Sequence, residues 1–391
     1  MSSLLIFVII LGVIIFVHEL GHFVAAKSSG MRIDEFGFGF PPRLWGIKRG
    51  GTTYSLNWIP LGGFVKIKGE NGEEAWESDS FASKSMPRRI MVILAGVSMN
   101  IILAFVLFTG GYLIGVPQAV DVPPAGAIVS DTSLQIGVVL HGSPAEKAGL
   151  QTGDIIGGIY SPSPYTSPIT GKSIDESKVT SAVLKDFIIN GPGYPFGLSY
   201  ARGHVDPKCK MDCYPLTAEK IIAGPLAETG TRGIGVELID VGTVRFPWYL
   251  APVRGAQATA YMLWAIVVSF YGLLAGLFTG RGLSADVSGP IGIAVVTGQA
   301  VQFGFAYLVE FMALLSLNLA VVNAVPFPAL DGGRFLFLVI EAVRRRPVSR
   351  RLEGIVHQIG FAVLMLLVVA VTYRDLVRYS GAIFGFFKGL I

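Results

Sequence analysis

Charged residues are scarce in this chain. Lys, Arg, Asp and Glu make up 15% of its 391 residues, hydrophobic residues make up 52%, and the mean hydropathy is +0.59. Because soluble domains carry about 25% charged residues, the composition excludes an ordinary soluble protein and indicates a membrane protein with one soluble domain attached. The net charge of +4 is small. No basic strip with interleaved aromatic residues is present, which argues against nucleic-acid binding.

Basic residues are absent from the N-terminal end, where Lys27 is the first. The apolar run Leu4–Ala26 has no basic segment before it and is longer than the apolar core of a signal peptide, so we expect it to be retained as a membrane span. Basic residues recur throughout 27–89. The positive-inside rule therefore places the N-terminus outside and the 27–89 loop in the cytoplasm.

Cysteine is nearly missing as well. Cys209 and Cys213 are the only two, and they fall in a segment that we expect outside the cytoplasm, where a disulfide is permitted. A short local disulfide and two free thiols are both open. A second metal site with the nearby His204 is a further alternative.

Three more apolar runs are predicted to cross the membrane: Ile90–Val116, a run that begins near Phe305, and Ile355–Val371. In the second span, Gly96, Ser98 and Asn100 permit close helix packing and a hydrogen bond between helices, with plain packing as the simpler interpretation. His357, near the start of the fourth span, is expected to be structural.

The segment Ala256–Thr279 is also apolar, but a full crossing would carry the basic cluster at 344–351 to the outside. That outcome contradicts the positive-inside rule for the first loop. We therefore expect an interfacial or partly inserted helix, followed by a turn at Ser288-Gly289-Pro290-Ile291-Gly292. The predicted divisions are 1–116 (first membrane part), 117–246 (soluble domain), 247–304 (interfacial linker) and 305–391 (second membrane part).

The first span contains the polar motif His18-Glu19-Leu20-Gly21-His22. Two histidines four residues apart share one face of a helix, which is the geometry that grips one metal ion. Glu19 is adjacent and can act as general base on a water whose pKa zinc lowers to about 7. Ionisable groups inside a membrane are functional candidates by default. The alternative is a structural set of polar residues that snorkel from the helix end or pair with one another.

Glycine and aromatic residues dominate two stretches of the first loop, Phe36-Gly37-Phe38-Gly39-Phe40 and Trp58–Lys66, the latter with Gly62 and Gly63. Between them Thr52–Trp58 alternates like a strand. Non-helical backbone at membrane depth needs cover from protein or a water cavity. We therefore predict a membrane-associated β-hairpin beside the metal, with an edge open to an extended peptide. An ordinary cytoplasmic hairpin is the alternative.

The third span ends in the stretch Asn323–Asp331, where Pro326 and Pro328 break the helix and free backbone carbonyls. Because this span enters from outside, Asp331 is expected in the cytoplasmic half of the membrane, at the depth of the two histidines. Two histidines and one aspartate complete a zinc ligand set with one position left for water. An Asp that caps the resumed helix is the alternative.

Between Pro117 and about Phe246 the long apolar runs stop, and by parity this segment is extracytoplasmic. The pattern predicts strand, short helix, turn and strand over 136–156, a helix over Val179–Asn190 and a strand over Phe196–Ala201. Residues 137–156 resemble a PDZ domain of the type attached to bacterial proteases. The resemblance implies an α+β domain, here with a Pro- and Ser-rich insertion, that binds extended peptide segments or chain ends.

Together these motifs resemble the site-2 proteases, a family of intramembrane zinc metalloproteases. The matching residues are His18-Glu19-x-x-His22, Gly37-Phe38-Gly39 and Asn323-x-x-Pro326-x-Pro328-x-Leu330-Asp331-Gly332. The place of the PDZ segment and Ser288-Gly289-Pro290-Ile291 resemble the bacterial regulator-of-sigma-E protease branch. Well-studied relatives often carry two tandem PDZ domains, whereas this chain has room for one.

The resemblance implies one zinc ion held by His18, His22 and Asp331, with Glu19 as the general base. It also implies that Asn323 holds the substrate or transition state and that the glycine-rich hairpin clamps an unwound substrate strand. The substrate-binding residues expected on this basis are Asn323, Pro326, Pro328, Gly37, Phe38, Gly39, Gly62 and Gly63.

The fold class predicted is a polytopic α-helical membrane protein with four transmembrane helices, a membrane-associated β-hairpin and an inserted extracytoplasmic PDZ domain. The resemblance implies hydrolysis within single-span membrane proteins, such as anti-sigma factors and remnant signal peptides. It also implies the bacterial cytoplasmic membrane, with the active site toward the cytoplasm. A zinc transporter would need neither the adjacent Glu nor a strand-presenting loop, and an inactive PDZ scaffold would have little reason to keep all four chemical residues. Both are kept as alternatives.

Overall fold

A computed structural model describes residues 2–70, 76–120, 124–161, 165–166, 179–191, 193–202, 214, 216–225, 232–278, 289–302, 304–346 and 348–378. The chain divides into two compact units. The helical unit comprises Met1–Thr109, Pro252–Val301 and Leu308–Ile391, and the mixed unit comprises Gly110–Ala251 and Gln302–Tyr307.

The described helices are α1 (Ser2–Ser28), α2 (Met86–Ile114), α3 (Pro144–Lys147), α4 (Ser181–Asn190), α5 (Ala251–Phe278), α6 (Pro290–Gln302), α7 (Phe305–Ala324), α8 (Asp331–Arg344) and α9 (Arg350–Arg378). Five of them, α1, α2, α5, α7 and α9, are long and apolar enough to cross a membrane. The chain is thus a multi-pass membrane protein. The count differs from the predicted four because α5, the segment expected to be interfacial, also qualifies by length and composition.

The described strands are β1 (Ile33–Arg49), β2 (Thr52–Ile67), β3 (Val116–Ala119), β4 (Ile128–Val139), β5 (Ile155–Tyr160), β6 (Phe196–Ala201), β7 (Leu216–Ile221), β8 (Gly224–Pro225), β9 (Arg232–Gly233) and β10 (Val236–Arg245). Strands β1 and β2 belong to the helical unit, and the others belong to the mixed unit.

Helices α1 and α2 pack against each other through glycines. A Cβ atom on Gly21 of α1 would lie 2.4 Å from the carbonyl oxygen of Ala95, and one on Gly96 of α2 would lie 2.3 Å from His22 Nε2. Small residues let membrane helices approach this closely. An apolar cluster continues the contact and joins α1, the β1–β2 pair, α2 and α8 through Ala26, Met31, Ile33, Ile67, Val92 and Leu338.

Helix α7 runs antiparallel to α2. Ser316 Oγ donates a hydrogen bond to the carbonyl oxygen of Asn100 at 2.8 Å. Apolar side chains of the two helices pack together nearer the start of α7, where Ala313 meets Ala104 and Phe108 in one cluster. Since α2 and α7 lie side by side in opposite directions, α7 begins at the level where α2 ends.

The α7 helix stops at Ala324 and α8 begins at Asp331, with both prolines in the break as predicted. The break folds tightly onto the first turn of α8. A Cβ atom on Gly332 would lie 2.2 Å from the carbonyl oxygen of Val325, and one on Gly333 would lie 2.3 Å from that of Phe327. Only glycine fits at these two positions, so the Gly-Gly pair after Asp331 allows the break to pack tightly against the first turn of α8.

The β1–β2 pair confirms the predicted β-element. Glu35–Phe38 in β1 lies between two parts of β2, with Thr53–Leu56 on one side and Gly63–Lys66 on the other. Gly50 and Gly51, with φ angles of +58° and +83°, connect the two strands. Each long strand is therefore bent back on itself, and the pair forms a small curved sheet.

Large apolar side chains cover one end of this small sheet and face outward. Phe40, Leu44, Trp45, Leu56, Trp58 and Ile59 are each between 44% and 65% exposed. The neighbouring Phe38 ring lies against Gly12 of α1, where an added Cβ would be 3.0 Å away. Because exposed apolar patches of this kind mark interaction surfaces, and α1 is a candidate span, the patch is suited to contact with lipid.

The mixed unit is built on a six-stranded sheet with strand order β3-β10-β4-β5-β6-β7. Strand, short helix and strand follow one another at 128–160 as predicted, and β6 has the predicted bounds Phe196–Ala201. Helix α4 packs Val183, Leu184 and Phe187 into the apolar core of this sheet. Cys209, Cys213 and His204 lie outside the described residues, as does most of the predicted insertion.

Candidate active site

His18 and His22 lie on the face of α1 that contacts α2. Their Nε2 atoms are 3.2 Å apart, and His18 is only 6% exposed. The four-residue spacing brings both rings to one side of the helix, as the sequence predicted.

Asp331, the first residue of α8, meets both histidines. Its Oδ2 atom lies 3.0 Å from His18 Nε2 and 3.3 Å from His22 Nε2. Ligand atoms that surround a tetrahedral zinc at about 2.0–2.1 Å are about 3.3 Å from one another. The three atoms therefore fit a zinc ion, and the two nitrogens and one carboxylate oxygen are donors that zinc accepts.

The other ring nitrogens of the two histidines have partners on α2. His22 Nδ1 lies 2.8 Å from the carbonyl oxygen of Val92, and His18 Nδ1 lies 3.3 Å from the side-chain amide of Asn100. Such contacts at Nδ1 fix the ring orientation and leave Nε2 as the ligand atom. Gly96 and Asn100, which face the histidines from α2, are four residues apart, as His18 and His22 are on α1. The sequence alone permits close packing and a hydrogen bond between helices at these residues, with plain packing as the simpler interpretation, whereas in the structure Asn100 contacts His18 across the two helices.

A cavity of about 230 Å³ opens at the two histidines. Glu19 lines it together with Phe64, Val65 and the ion pair Glu70–Arg334. From its sequence Glu70 belongs to an acidic stretch typical of a mobile surface segment, and Arg334 had no assigned role, because nothing in either local sequence indicates that they meet. Glu19 thus faces the same space as the three candidate ligands.

Glycines bring the β1–β2 sheet close to Glu19. A Cβ atom on Gly63 would lie 3.2 Å from Glu19 Cγ and 3.2 Å from the carbonyl oxygen of Gly37. A Cβ atom on Gly37 would lie 2.5 Å from the Phe64 ring. A larger side chain at Gly63 would push the sheet away from the Glu19 side chain, and one at Gly37 would separate β1 from Phe64 within the sheet.

Of the other residues predicted to bind substrate, Asn323 contacts a candidate ligand, because its Nδ2 atom lies 3.4 Å from His18 Nε2. Gly39 lies against the backbone of Ile59, and Gly62 lies against the Phe40 ring, both in the small sheet.

The proline break also contacts the last helix. A Cβ atom on Gly360 of α9 would lie 2.4 Å from Pro328 Cβ, whereas Pro326 is exposed. The Ala329 N–H donates to His357 Nδ1 at 2.9 Å. His357 therefore supports the break and lies outside the ligand group, in agreement with its predicted structural role.

Gly96→Ala should abolish zinc binding and peptidase activity, because the new Cβ would lie 2.3 Å from His22 Nε2 and 2.8 Å from His18 Nε2. Gly110→Ala on the same helix is the matched control, since a Cβ there meets nothing within 4 Å. Metal analysis of the purified variants measures the effect. Wild-type zinc content in Gly96→Ala would show that the histidines do not need this close helix contact.

Comparison with known proteins gives a consistent assignment. The sequence profile described as peptidase family M50 matches residues 6–367. The chain is 30% identical to the zinc metalloprotease RasP of Geobacillus kaustophilus, covering 97% of this chain and 99% of that protein. It is 28% identical to RasP of Shouchella clausii, covering 96% and 99% respectively. The chain therefore belongs to peptidase family M50, the site-2 proteases, and is a membrane zinc metalloendopeptidase.

Proposed function

We propose that this protein hydrolyses peptide bonds inside the transmembrane segments of single-span membrane proteins. One observation carries the proposal: Glu19 and three candidate zinc ligands meet in a cavity between helices of spanning length, beside an open β-strand. A peptidase that acted on soluble chains would not need to place its site inside the bilayer. Anti-sigma factors and remnant signal peptides are the substrate types that fit.

His18, His22 and Asp331 are the proposed ligands of one zinc ion. When bound, zinc supplies a Lewis acid that polarises the scissile carbonyl and lowers the pKa of water. The protein contributes the geometry, because α1 delivers two nitrogens and the start of α8 delivers the oxygen.

Glu19 is the proposed general base and acid. Its carboxylate takes a proton from the attacking water as the new C–O bond forms at the scissile carbonyl. The same carboxyl group then gives the proton to the peptide nitrogen as the C–N bond breaks. Neither a zinc transporter nor an inactive scaffold would require a carboxylate at this position.

The small sheet is proposed to hold the substrate as an added strand. A transmembrane helix must unwind before cleavage, because its backbone hydrogen bonds occupy the carbonyl groups. Residues Gly63–Lys66 pair with β1 alone among the described strands, and Phe64 and Val65 line the cavity. The other edge of this segment can therefore pair with an unwound substrate.

Two further sets of residues complete the proposed substrate site. Asn323, next to His18, is proposed to hold the substrate carbonyl or the transition state. The remaining contacts are assigned to the backbone of the sheet and of the proline break, at Gly37, Phe38, Gly39, Gly62, Gly63, Pro326 and Pro328.

Four transmembrane helices, α1, α2, α7 and α9, are proposed, with α5 not crossing completely. The opposite directions of α2 and α7 support this, because the chain between them must start and finish on the same side. A complete crossing by α5 would then need a return crossing. Helix α6, with 13 residues, is about 20 Å long and cannot span a hydrocarbon core of about 30 Å.

The mixed unit is proposed to be an extracytoplasmic PDZ domain of a protein in the bacterial cytoplasmic membrane. Strand β3 pairs with β10 at 241–244, and β4 pairs with the other edge of β10. The Asp240 carbonyl accepts from the Val120 N–H, which follows β3, so the free edge is limited to Val236–Ile239. It lies next to α4, whose Ser181 N–H donates to Asp240 Oδ1 at 3.0 Å. A peptide segment or chain end added there would lie between strand and helix. Such a domain would admit substrates already shortened outside and exclude bulky ectodomains.

Glu19→Gln should keep zinc and lose cleavage by about 10²- to 10⁴-fold, because the amide keeps the shape but cannot accept a proton. A purified single-span substrate, incubated with and without chelator, measures cleavage, and metal analysis measures zinc. Glu310→Gln is the control, since Glu310 lies in α7 and does not line the cavity. Normal cleavage by Glu19→Gln would remove Glu19 from the mechanism.

Asp331→Asn should weaken both zinc affinity and activity, because a charged ligand becomes neutral. The loss of affinity should exceed the about 10- to 100-fold caused by changes around a ligand. Asp375→Asn is the control, because Asp375 is equally an acid in a span but accepts from the Gly292 N–H. If chelator competition gives Asp331→Asn an unchanged affinity, Asp331 is a helix cap and the third ligand lies elsewhere.

The membrane orientation is tested by cysteine labelling in intact cells, after Cys209 and Cys213 have been changed to Ser. Ser78→Cys and Ser349→Cys should react with an impermeant thiol reagent only once the membrane is opened. His141→Cys, at a side chain 98% exposed in the mixed unit, should react from outside. Labelling of Ser349→Cys from outside, with Ser78→Cys protected, would make α5 a complete span and contradict the proposed arrangement.

A further inference from the structure

Asn100 of α2 contacts His18 on the side of the ring away from Asp331. Its side chain is fully buried, and its amide nitrogen lies 3.3 Å from His18 Nδ1. The Nε2 atom of the same ring lies 3.0 Å from Asp331 Oδ2. Asn100 and the candidate ligand group therefore hold opposite edges of one imidazole ring.

The position of the proton on a ligating histidine decides whether the oxygen or the nitrogen of the Asn100 carboxamide can hydrogen-bond to the ring. A neutral imidazole that offers Nε2 to a metal carries its proton on Nδ1, so Nδ1 is then a donor. Asn100 Oδ1 is buried and has no hydrogen-bond partner. The two ends of a carboxamide have the same shape and exchange by rotation. With Oδ1 turned toward the ring, the oxygen gains a donor and the ring N–H gains an acceptor.

We infer that Asn100 is the positioning residue of His18: its side-chain oxygen accepts the Nδ1–H and holds the ring with Nε2 toward Asp331 and His22. The inference rests on the proposed role of His18 as a zinc ligand. For His22 the corresponding acceptor is the backbone carbonyl of Val92. Of the two histidines, only His18 has a side chain as its Nδ1 partner, and a substitution can remove that partner.

Contacts with α7 and α1 fix the position of Asn100 on α2. Its backbone carbonyl accepts the Ser316 hydroxyl at 2.8 Å, which ties this point of α2 to α7. One turn earlier on α2, Gly96 leaves the room into which both imidazoles fit. A polar side chain buried in an apolar helix is destabilising when it has no hydrogen-bond partner. The ring N–H provides the pairing that offsets this cost.

Two substitutions in the purified full-length protein test the inference. Asn100→Leu keeps a similar volume but cannot accept a hydrogen bond, and zinc affinity in chelator competition should fall about 10- to 100-fold. Asn100→Asp keeps the acceptor and should bind zinc at least as tightly as the wild type, since carboxylates commonly accept from zinc-ligating histidines. Cobalt loaded in place of zinc should show altered visible absorption in Asn100→Leu and unaltered absorption in Asn100→Asp.

Asn318→Leu is the matched control. Asn318 lies in an apolar helix too, but its side chain is exposed and donates to Leu314 in its own helix. The same Asn-to-Leu change should leave zinc affinity and the cobalt spectrum as in the wild type.

Wild-type zinc affinity in Asn100→Leu would overturn the inference. A more than tenfold loss of zinc affinity in Asn100→Asp would also overturn it, because packing rather than a hydrogen-bond acceptor would then be required. This second result tests the role of Asn100 even if Asn100→Leu does not fold. His18→Ala separates the two levels of the proposal. If His18→Ala binds zinc normally, the proposed ligand set fails. If it loses zinc while Asn100→Leu keeps it, only the role of Asn100 fails.

Discussion

The close contact between α1 and α2 is the constraint on which the site depends. Gly21 and Gly96 bring the two backbones so near that the imidazoles of α1 lie directly on α2. In that position His22 reaches a backbone carbonyl, and His18 reaches Asn100. Two rings held at Nδ1 present both Nε2 atoms to one point. Any side chain larger than glycine at position 96 would occupy that point itself.

The low polarity of a membrane makes the pairing of polar groups decisive. A buried donor or acceptor without a partner is more costly there than at a protein surface, since no water can replace the partner. Asp331, the two histidines, Asn100 and the Ser316 hydroxyl therefore form a continuous polar group inside an apolar bundle. The proline break with its Gly332-Gly333 pair contributes to this group, because it starts a new helix at Asp331, whose Oδ2 atom reaches both histidines.

The small β-sheet brings extended backbone beside Glu19, the proposed general base, in a largely helical unit. Glycine at position 63 removes the side chain that would separate strand from helix, and glycine at position 37 makes room for the Phe64 ring within the sheet. The outer end of the same sheet carries exposed aromatic and aliphatic side chains, which suit lipid contact. The strand edge next to Glu19 that no other described strand covers is the proposed binding place for an unwound substrate.

Local chemistry was sufficient to predict the motif residues, the proline break and the β-prone loop, because each depends on spacing within a short stretch. The histidine pair follows from the helical period, and the end of α7 at Ala324 follows from the prolines. The partners of these groups come from distant parts of the chain. Nothing local indicates that Asn100 faces His18 rather than another helix, or that Gly96 lies against the two imidazoles rather than in an ordinary packing contact. The direction of α7 followed from the parity of the spans, but its packing against α2 and the pairing of Glu70 with Arg334 required the assembled bundle. Sequence thus determined which chemical groups were present and on which element each lies, and tertiary packing decided which of them meet, since interhelical contacts follow from shape and distance.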